Sequence, residues 1–219
     1  MDIEVQTTAD GSATLYRPDL DEHYHSVKGA LTEGEHIFIK CGLLHHPQQR
    51  LKVLEIGFGT GLNAILTALE TSKTVEFNTL ELYPLSPEII AQANCCKMLP
   101  ATAEPLYKAL HAAEWNVLTR ISDTFSINKI LCDFTAPDTA LPQGIDIVYF
   151  DAFAPEKQPE MWSAEALQKV YDAMNPGGIL TTYCAKGEIR RRLQSVGFTV
   201  ERLPGPPNGK REILRATKA

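Results

Sequence analysis

The sequence predicts an α/β fold: a mostly parallel sheet of seven strands with helices on both faces, an antiparallel strand at its C-terminal edge, and a small N-terminal extension. Three observations predict it. Short apolar runs alternate with segments of helical periodicity, the pattern of parallel strands joined by crossover helices. The run Leu51–Ile56 stops at three alternate glycines, Gly57, Gly59 and Gly61. A stretch with apolar residues at Leu62, Ile65, Leu66 and Leu69 begins at once, so the region reads as a buried strand, a tight turn and a helix start. The chain closes with two strand-like runs around Pro204-Gly205-Pro206-Pro207-Asn208-Gly209, which suits an antiparallel edge hairpin.

In order, residues 3–16 read as two short strands about an Asp10-Gly11 turn, and Arg17-Pro18-Asp19 breaks them. Asp21 to Ser26 is a polar, aromatic-bearing loop. From Ser26 to Leu44 the spacing is helical, with Gly34 expected to interrupt it. His45-His46-Pro47-Gln48-Gln49 leads into the main domain, and its paired histidines read as a solvated loop. The expected division is therefore an extension over 1–48 and a main domain over 49–219. Strand 51–56, helix 60–72 and strand 75–82 come first. Pro84 ends that strand, and Ser86-Pro87-Glu88 opens a helix with cap and proline in the usual order. A helix spans 103–113. The stretches 117–125 and 127–133 are a strand pair or one bent strand. Strand 145–150, helix 159–174, strand 178–184, helix 186–196 and strands 197–203 and 210–217 complete the chain.

A chain of 219 residues can bury one good-sized core with an extension. No apolar run reaches the ~18 residues of a membrane span. Met1-Asp2-Ile3-Glu4 lacks the basic and apolar regions of a signal peptide, so a cytoplasmic location is expected. The five cysteines include no C-x-x-C pair, which argues against a disulfide framework or a zinc site; no metal is expected. The net charge of −6 conceals a division: from Lys186 onward nine basic residues face three acidic ones, leaving a basic end on an acidic body. That arrangement suits a polyanion meeting one face.

The chemistry-bearing residues sit where an open α/β sheet binds ligands, at the carboxyl ends of its strands. The dinucleotide fingerprint needs a third glycine where this chain has Leu62, and no Lys-Ser/Thr pair follows to make a P-loop. Instead Glu55 precedes the glycines, and a carboxylate at that mouth repels phosphate and suits a cation. Glu81 ends the second strand, where a carboxylate accepts both ribose hydroxyls. Asp133-Phe134 ends the next, an acceptor beside an aromatic face that suits adenine. Asp151 ends the fourth. The glycine pattern resembles motif I of the class I S-adenosylmethionine methyltransferases, a Rossmann-like fold. S-adenosyl-L-methionine is therefore the expected cofactor, held by Glu55, Gly57, Gly59, Gly61, Asn63, Glu81, Asp133, Phe134 and Asp151.

A narrower resemblance follows. Asp151-Ala152-Phe153-Ala154-Pro155-Glu156-Lys157-Gln158-Pro159-Glu160-Met161-Trp162 is similar to the D-x-F-A-P-x-K-x-P-x-M-W signature of the MnmC-type tRNA methyltransferases. Tyr24-His25-Ser26 with Gly29-Ala30-Leu31 and Glu33 resembles the family's N-terminal signature. Gly57 to Asn63 matches its cofactor loop. Gly187, Arg190-Arg191 and Gly197-Phe198 resemble its late helix and turn, and Lys210-Arg211-Glu212 its terminal stretch. The chain departs from the family at His25, usually an aromatic, and in its longer, proline-rich 204–207 loop. No second glycine-rich βα unit follows, so the chain looks like a stand-alone methyltransferase whose aminomethyl substrate an upstream enzyme supplies.

The resemblance implies methyl transfer to the primary amine of a 5-aminomethyl(-2-thio)uridine at the tRNA wobble position. Asp151 is then the catalytic residue, orienting the amine and helping to receive its proton. Phe153, Met161 and Trp162 supply a nonpolar wall. Tyr24, Phe153 and Tyr183 stack bases of the anticodon loop, with Ser26 beside them, and Arg190, Arg191, Lys210 and Arg211 hold phosphates. The competing readings are a methyltransferase acting on a small-molecule or protein amine, a non-catalytic tRNA- or partner-binding module, and a nicotinamide oxidoreductase; Leu62 disfavours the last.

Overall fold

A computed structural model describes residues 3–219. The chain begins with a small antiparallel sheet of β1 (Glu4–Thr7), β2 (Ala13–Arg17) and β3 (Glu22–His23). The turn between β1 and β2 is wider than two residues and closes through the Thr8 N–H on the Ser12 carbonyl at 2.8 Å. β3 lies in the segment expected to be a loop; two residues are too few for a period of two to show.

α1 (Ala30–Gly34) then runs into a wide-turned π-helical segment, Glu35–Leu43. Gly34 does not interrupt the helix. A Cβ there would lie 2.9 Å from Leu66 Cδ1 and 3.2 Å from Asn63 Oδ1, so the glycine permits close approach to the helix carrying those residues.

The main sheet follows. β4 (Arg50–Ile56) leads through α2 (Leu62–Leu69) to β5 (Thr74–Glu81). α3 (Pro87–Ala93), α4 (Ala103–Ala112), β6 (Leu118–Arg120), β7 (Phe125–Leu131) and β8 (Ile145–Phe150) come next. α5 (Ala164–Ala173), β9 (Met174–Thr182), α6 (Gly187–Ser195), β10 (Phe198–Pro204) and β11 (Glu212–Lys218) complete it. The strand order is β10-β11-β9-β8-β4-β5-β7-β6. β9, β8, β4, β5 and β7 run parallel, and β11 is antiparallel to both β9 and β10. The region 117–133 is the strand pair, with Leu118 opposite Asn128, and so adds a three-residue eighth strand at the far edge.

Helix 159–174 divides. Pro159–Trp162 is a 3₁₀ turn, and α5 starts afresh where the Ser163 hydroxyl caps the Ala166 N–H. β9 begins at Met174, ahead of the expected start, and its pairing with β8 shifts register between Ile145 and Ile147.

Alternation along the central strands clothes both faces. Val53, Phe77, Ile147 and Tyr149 share one core with α2, the 35–43 segment and Leu15 of the extension. Leu54, Ile56, Val148 and Phe150 share the other with α5 and α6. α2 is buried along nearly its whole length, because α4 and the 35–43 segment cover the side turned from the sheet. The chain leaves β4 for β5 on one side and later places β8 on the other. That is the point at which such sheets open a crevice. No helix among the described residues is long and apolar enough to cross a membrane.

Candidate active site

Three elements converge above the carboxyl ends of β4, β5 and β8. After β4 the backbone turns through Gly57, Gly59 and Gly61, all at positive φ (93°, 52° and 75°). The N–H groups of Gly57 and Phe58 bond the Leu80 carbonyl at 3.0 and 3.1 Å, tying the loop to β5. From outside, the Tyr107 hydroxyl donates to the Thr60 carbonyl at 2.7 Å. The ring of Tyr24, from the extension, stands so close that a Cβ on Gly59 would meet it at 3.1 Å. Bare backbone at Gly59 is thus demanded twice, by conformation and by contact.

Glu81 spans the mouth of this loop. Its Oε2 accepts the Gly59 N–H at 3.0 Å and its Oε1 the Tyr83 N–H at 2.9 Å, leaving a second lone pair on each oxygen for a diol. At the end of β7, Asp133 Oδ1 accepts both the N–H and the hydroxyl of Thr135, which hold its carboxyl below the usual range. Phe134 beside it is 4% exposed and lines the same cleft. Gly57, Gly59, Asn63, Glu81, Asp133, Phe134 and Asp151 all line one narrow cleft of about 130 Å³. Charged acceptors, bare backbone and an aromatic floor in that order fit a cationic nucleoside cofactor such as S-adenosyl-L-methionine.

Two of the expected cofactor residues do not line this cleft: Gly61, which turns the loop at positive φ, and Glu55. Glu55 is 1% exposed and lies below the loop, where its Oε2 accepts the Thr79 hydroxyl at 2.7 Å. Burial pushes its carboxyl well above the ordinary range, and Asp151 nearby adds to the effect. Its carboxyl is enclosed in the interior and does not stand at the mouth of the loop.

Asp151 stands between the cleft and a larger cavity of about 750 Å³. Asn63 Nδ2 donates to its Oδ2 at 2.9 Å. Burial, with Glu33 adding to it, raises its carboxyl to about 7 against the opposing Asn63 bond and Lys210. Tyr24, His25, Ala152 and Phe153 line both spaces, and Tyr24 meets Phe153 edge-on at 5.1 Å. Burial holds His25 neutral, down to about 4, and its Nδ1 has no hydrogen-bond partner among the described residues.

Of the expected substrate residues, Tyr24, Ser26, Phe153, Tyr183, Lys210 and Arg211 line the larger cavity. Tyr183 donates its hydroxyl to the Ala152 carbonyl at 2.8 Å, and the Lys210 ammonium lies 3.5 Å over its ring. Trp162 does not join them. It is wholly buried, its indole N–H bonded to the Phe153 carbonyl at 2.8 Å, so it braces Phe153 from behind and offers no face to a ligand. Arg190 and Arg191, on α6, line neither space. Lys186 does, paired with Glu156 across the mouth. Sequence reasoning gave no role to Glu33, His25 or Lys186; Glu33 and His25 stood inside the N-terminal signature, the one signal that marked them.

Comparison with known proteins agrees with this geometry. A family model described as S-adenosyl-L-methionine-dependent methyltransferase matches residues 100–219. The chain is 31% identical over 208 residues to the tRNA 5-methylaminomethyl-2-thiouridine biosynthesis bifunctional protein MnmC of Cupriavidus necator, covering 87% of this chain and 31% of that protein. The chain thus spans about a third of the length of the curated relatives it matches. Among solved structures, MNMC2 from Aquifex aeolicus superposes with a TM-score of 0.78 at 24% identity, over 99% of this chain and 70% of that one. Spermidine synthase from Thermotoga maritima gives 0.57 at 16% identity, over 100% and 80%. These two likenesses establish the fold.

Proposed function

The chain belongs to the S-adenosyl-L-methionine-dependent methyltransferases of the MnmC type, and from that premise we propose that it methylates the primary amine of 5-aminomethyl(-2-thio)uridine at the wobble position of tRNA. The observation that supports this reading most is Asp151 in the wall shared by two spaces, a cofactor cleft on one side and a 750 Å³ cavity on the other. Lys186, Lys210 and Arg211 line that cavity and suit the phosphates of an anticodon loop.

S-adenosyl-L-methionine, when bound, supplies an electrophilic methyl group on a sulfonium sulfur. The residues of this chain have the remaining tasks. Glu81 and Asp133 would hold the nucleoside, with the bare backbone of Gly57 and Gly59 lining the same cleft. An alkylamine is protonated at neutral pH, with a pKa near 10 as for lysine, and has no free lone pair. Asp151 accepts a proton from it and keeps the nitrogen directed toward the cleft. Tyr24 and Phe153 wall the junction and exclude water, and most of the acceleration comes from fixing the two partners together. A splayed wobble base stacks on these rings. The aminomethyl group must come from an enzyme acting earlier.

The deciding experiment is mass spectrometry of wobble nucleosides from tRNA carrying 5-aminomethyl-2-thiouridine, after incubation with the protein and cofactor. A gain of one methyl on that nucleoside is expected. Methylation of a metabolite pool with no change in tRNA would replace this reading by a small-molecule amine methyltransferase.

A further inference from the structure

We propose that Glu33 and Asp151 together form a two-carboxylate receptor that binds the methyl-accepting group as a primary alkylammonium and passes its proton to Asp151. The inference rests on the acceptor being an amine, as proposed above, and adds a residue and a selectivity to it.

Glu33 sits on α1, is buried, and lines the 750 Å³ cavity together with Asp151. Its Oε2 is buried and accepts no hydrogen bond among the described residues. The Lys210 ammonium is 3.9 Å from that oxygen, too far for a hydrogen bond, and is engaged instead over the Tyr183 ring. A buried acceptor without a donor costs free energy that a ligand's N–H would recover. With both carboxyls ionised, Glu33, Asp151 and Lys210 sum to one negative charge. One alkylammonium closes that balance; a neutral hydroxyl does not.

The groups around the pair have other duties. Asn63 of α2 donates to Asp151, and the buried Glu55 of β4 accepts the Thr79 hydroxyl. Tyr183, just past β9, gives its hydroxyl to Ala152, and His25 of the extension is neutral. Lys186 pairs with Glu156, and both line the cavity. Burial raises the Glu33 carboxyl, which Lys210 partly offsets. An arriving cation favours the ionised form of each carboxyl, which a neutral group of the same shape does not.

In the proton step one N–H bond of the ammonium breaks, the proton passes to an Asp151 oxygen, and the electron pair stays on nitrogen. Glu33 remains ionised and holds the other hydrogens. After transfer the methylated nitrogen is again cationic while Asp151 still carries its proton; Glu33 holds the product, and Asp151 regains its charge by giving that proton to solvent as the product leaves.

The test uses the full chain with S-adenosylhomocysteine present and measures binding of 5-aminomethyluridine and its neutral counterpart 5-hydroxymethyluridine by calorimetry. Wild type is expected to prefer the amine at least tenfold. Glu33→Gln should lose most of that preference while binding S-adenosyl-L-methionine normally, and Glu33→Asp should recover part of it. Lys210→Met, which removes the resident cation, should tighten amine binding. With the tRNA substrate, Glu33→Gln should raise KM about tenfold with a small change in kcat. It should also move the acid limb of the rate to lower pH, because a negative neighbour of Asp151 is gone. An unchanged preference and pH limb in Glu33→Gln, or weaker amine binding in Lys210→Met, overturns the proposal. If wild type binds the amine nucleoside yet leaves tRNA unmethylated, the tRNA reading fails while the role of Glu33 stands.

Discussion

Asp151 must be ionised to receive a proton yet basic enough to hold one. An ordinary carboxylate lies about six units below an alkylamine and is a poor acceptor. Burial, with Glu33 beside it, lifts Asp151 to about 7 and narrows that gap, while the Asn63 bond keeps the ionised form accessible near neutrality. The sign of the pH effect follows. Below about 7 the group already carries its proton and cannot accept another, so kcat/KM is expected to rise with pH through that value. Asp151→Ala should keep cofactor affinity by calorimetry and lose methyl transfer by roughly 10²–10⁴-fold in single-turnover assays. Asp151 was legible in the sequence because it ends an unbroken apolar strand. Glu33 was not: a glutamate within a helical stretch reads as a solvated face, and only the packing of α1 against the cavity shows it enclosed.

At the scale of elements, the extension is part of the site and not an appendage. It contributes Tyr24 and His25 to the wall and Glu33 to the cavity, and Asp10 ties its pieces together. The Asp10 carboxylate accepts the Thr8 and Ser12 hydroxyls and bonds the Thr32 N–H and hydroxyl on α1, 3.0 Å each. Partial burial works against the charge, but these bonds outweigh it and hold the group far below its usual range. Its contribution is therefore present above the unfolded value near 3.8 and is lost as pH falls toward the folded one. Asp10→Ala should lower stability by on the order of 1–2 kcal/mol in thermal melts at pH 7. It should also remove part of the acid-side loss seen in wild type. Equal melting curves for the two proteins across pH 3–7 would show that Asp10 is not the tie.

Across the whole molecule, the basic C-terminal stretch folds back so that Lys186, Lys210 and Arg211 stand beside the same cavity, on a chain whose net charge is −6. Cations gathered on an acidic chain would orient an approaching polyanion toward them. Affinity for tRNA is expected to fall steeply with salt, by about 0.7–0.9 log units per log unit of salt for each phosphate held. Arg211→Ala should weaken binding to all tRNAs and reduce that slope by about one. A flat salt dependence in a filter-binding or fluorescence titration would remove the phosphate assignment.

The local order of the chain determined the parallel sheet, the glycine turn and the strand-end positions of Glu81, Asp133 and Asp151. Alternation, periodicity and backbone freedom are properties of neighbours in sequence. Tertiary structure alone decided which of the marked residues line the cleft and the cavity. Glu55 and Trp162 fit the pattern but sank into the interior, and Arg190 and Arg191 stayed on the far helix. Glu33, more than a hundred residues from Asp151, came to line the same cavity. Burial and long-range charge depend on what packs around a side chain, and no window of sequence contains that.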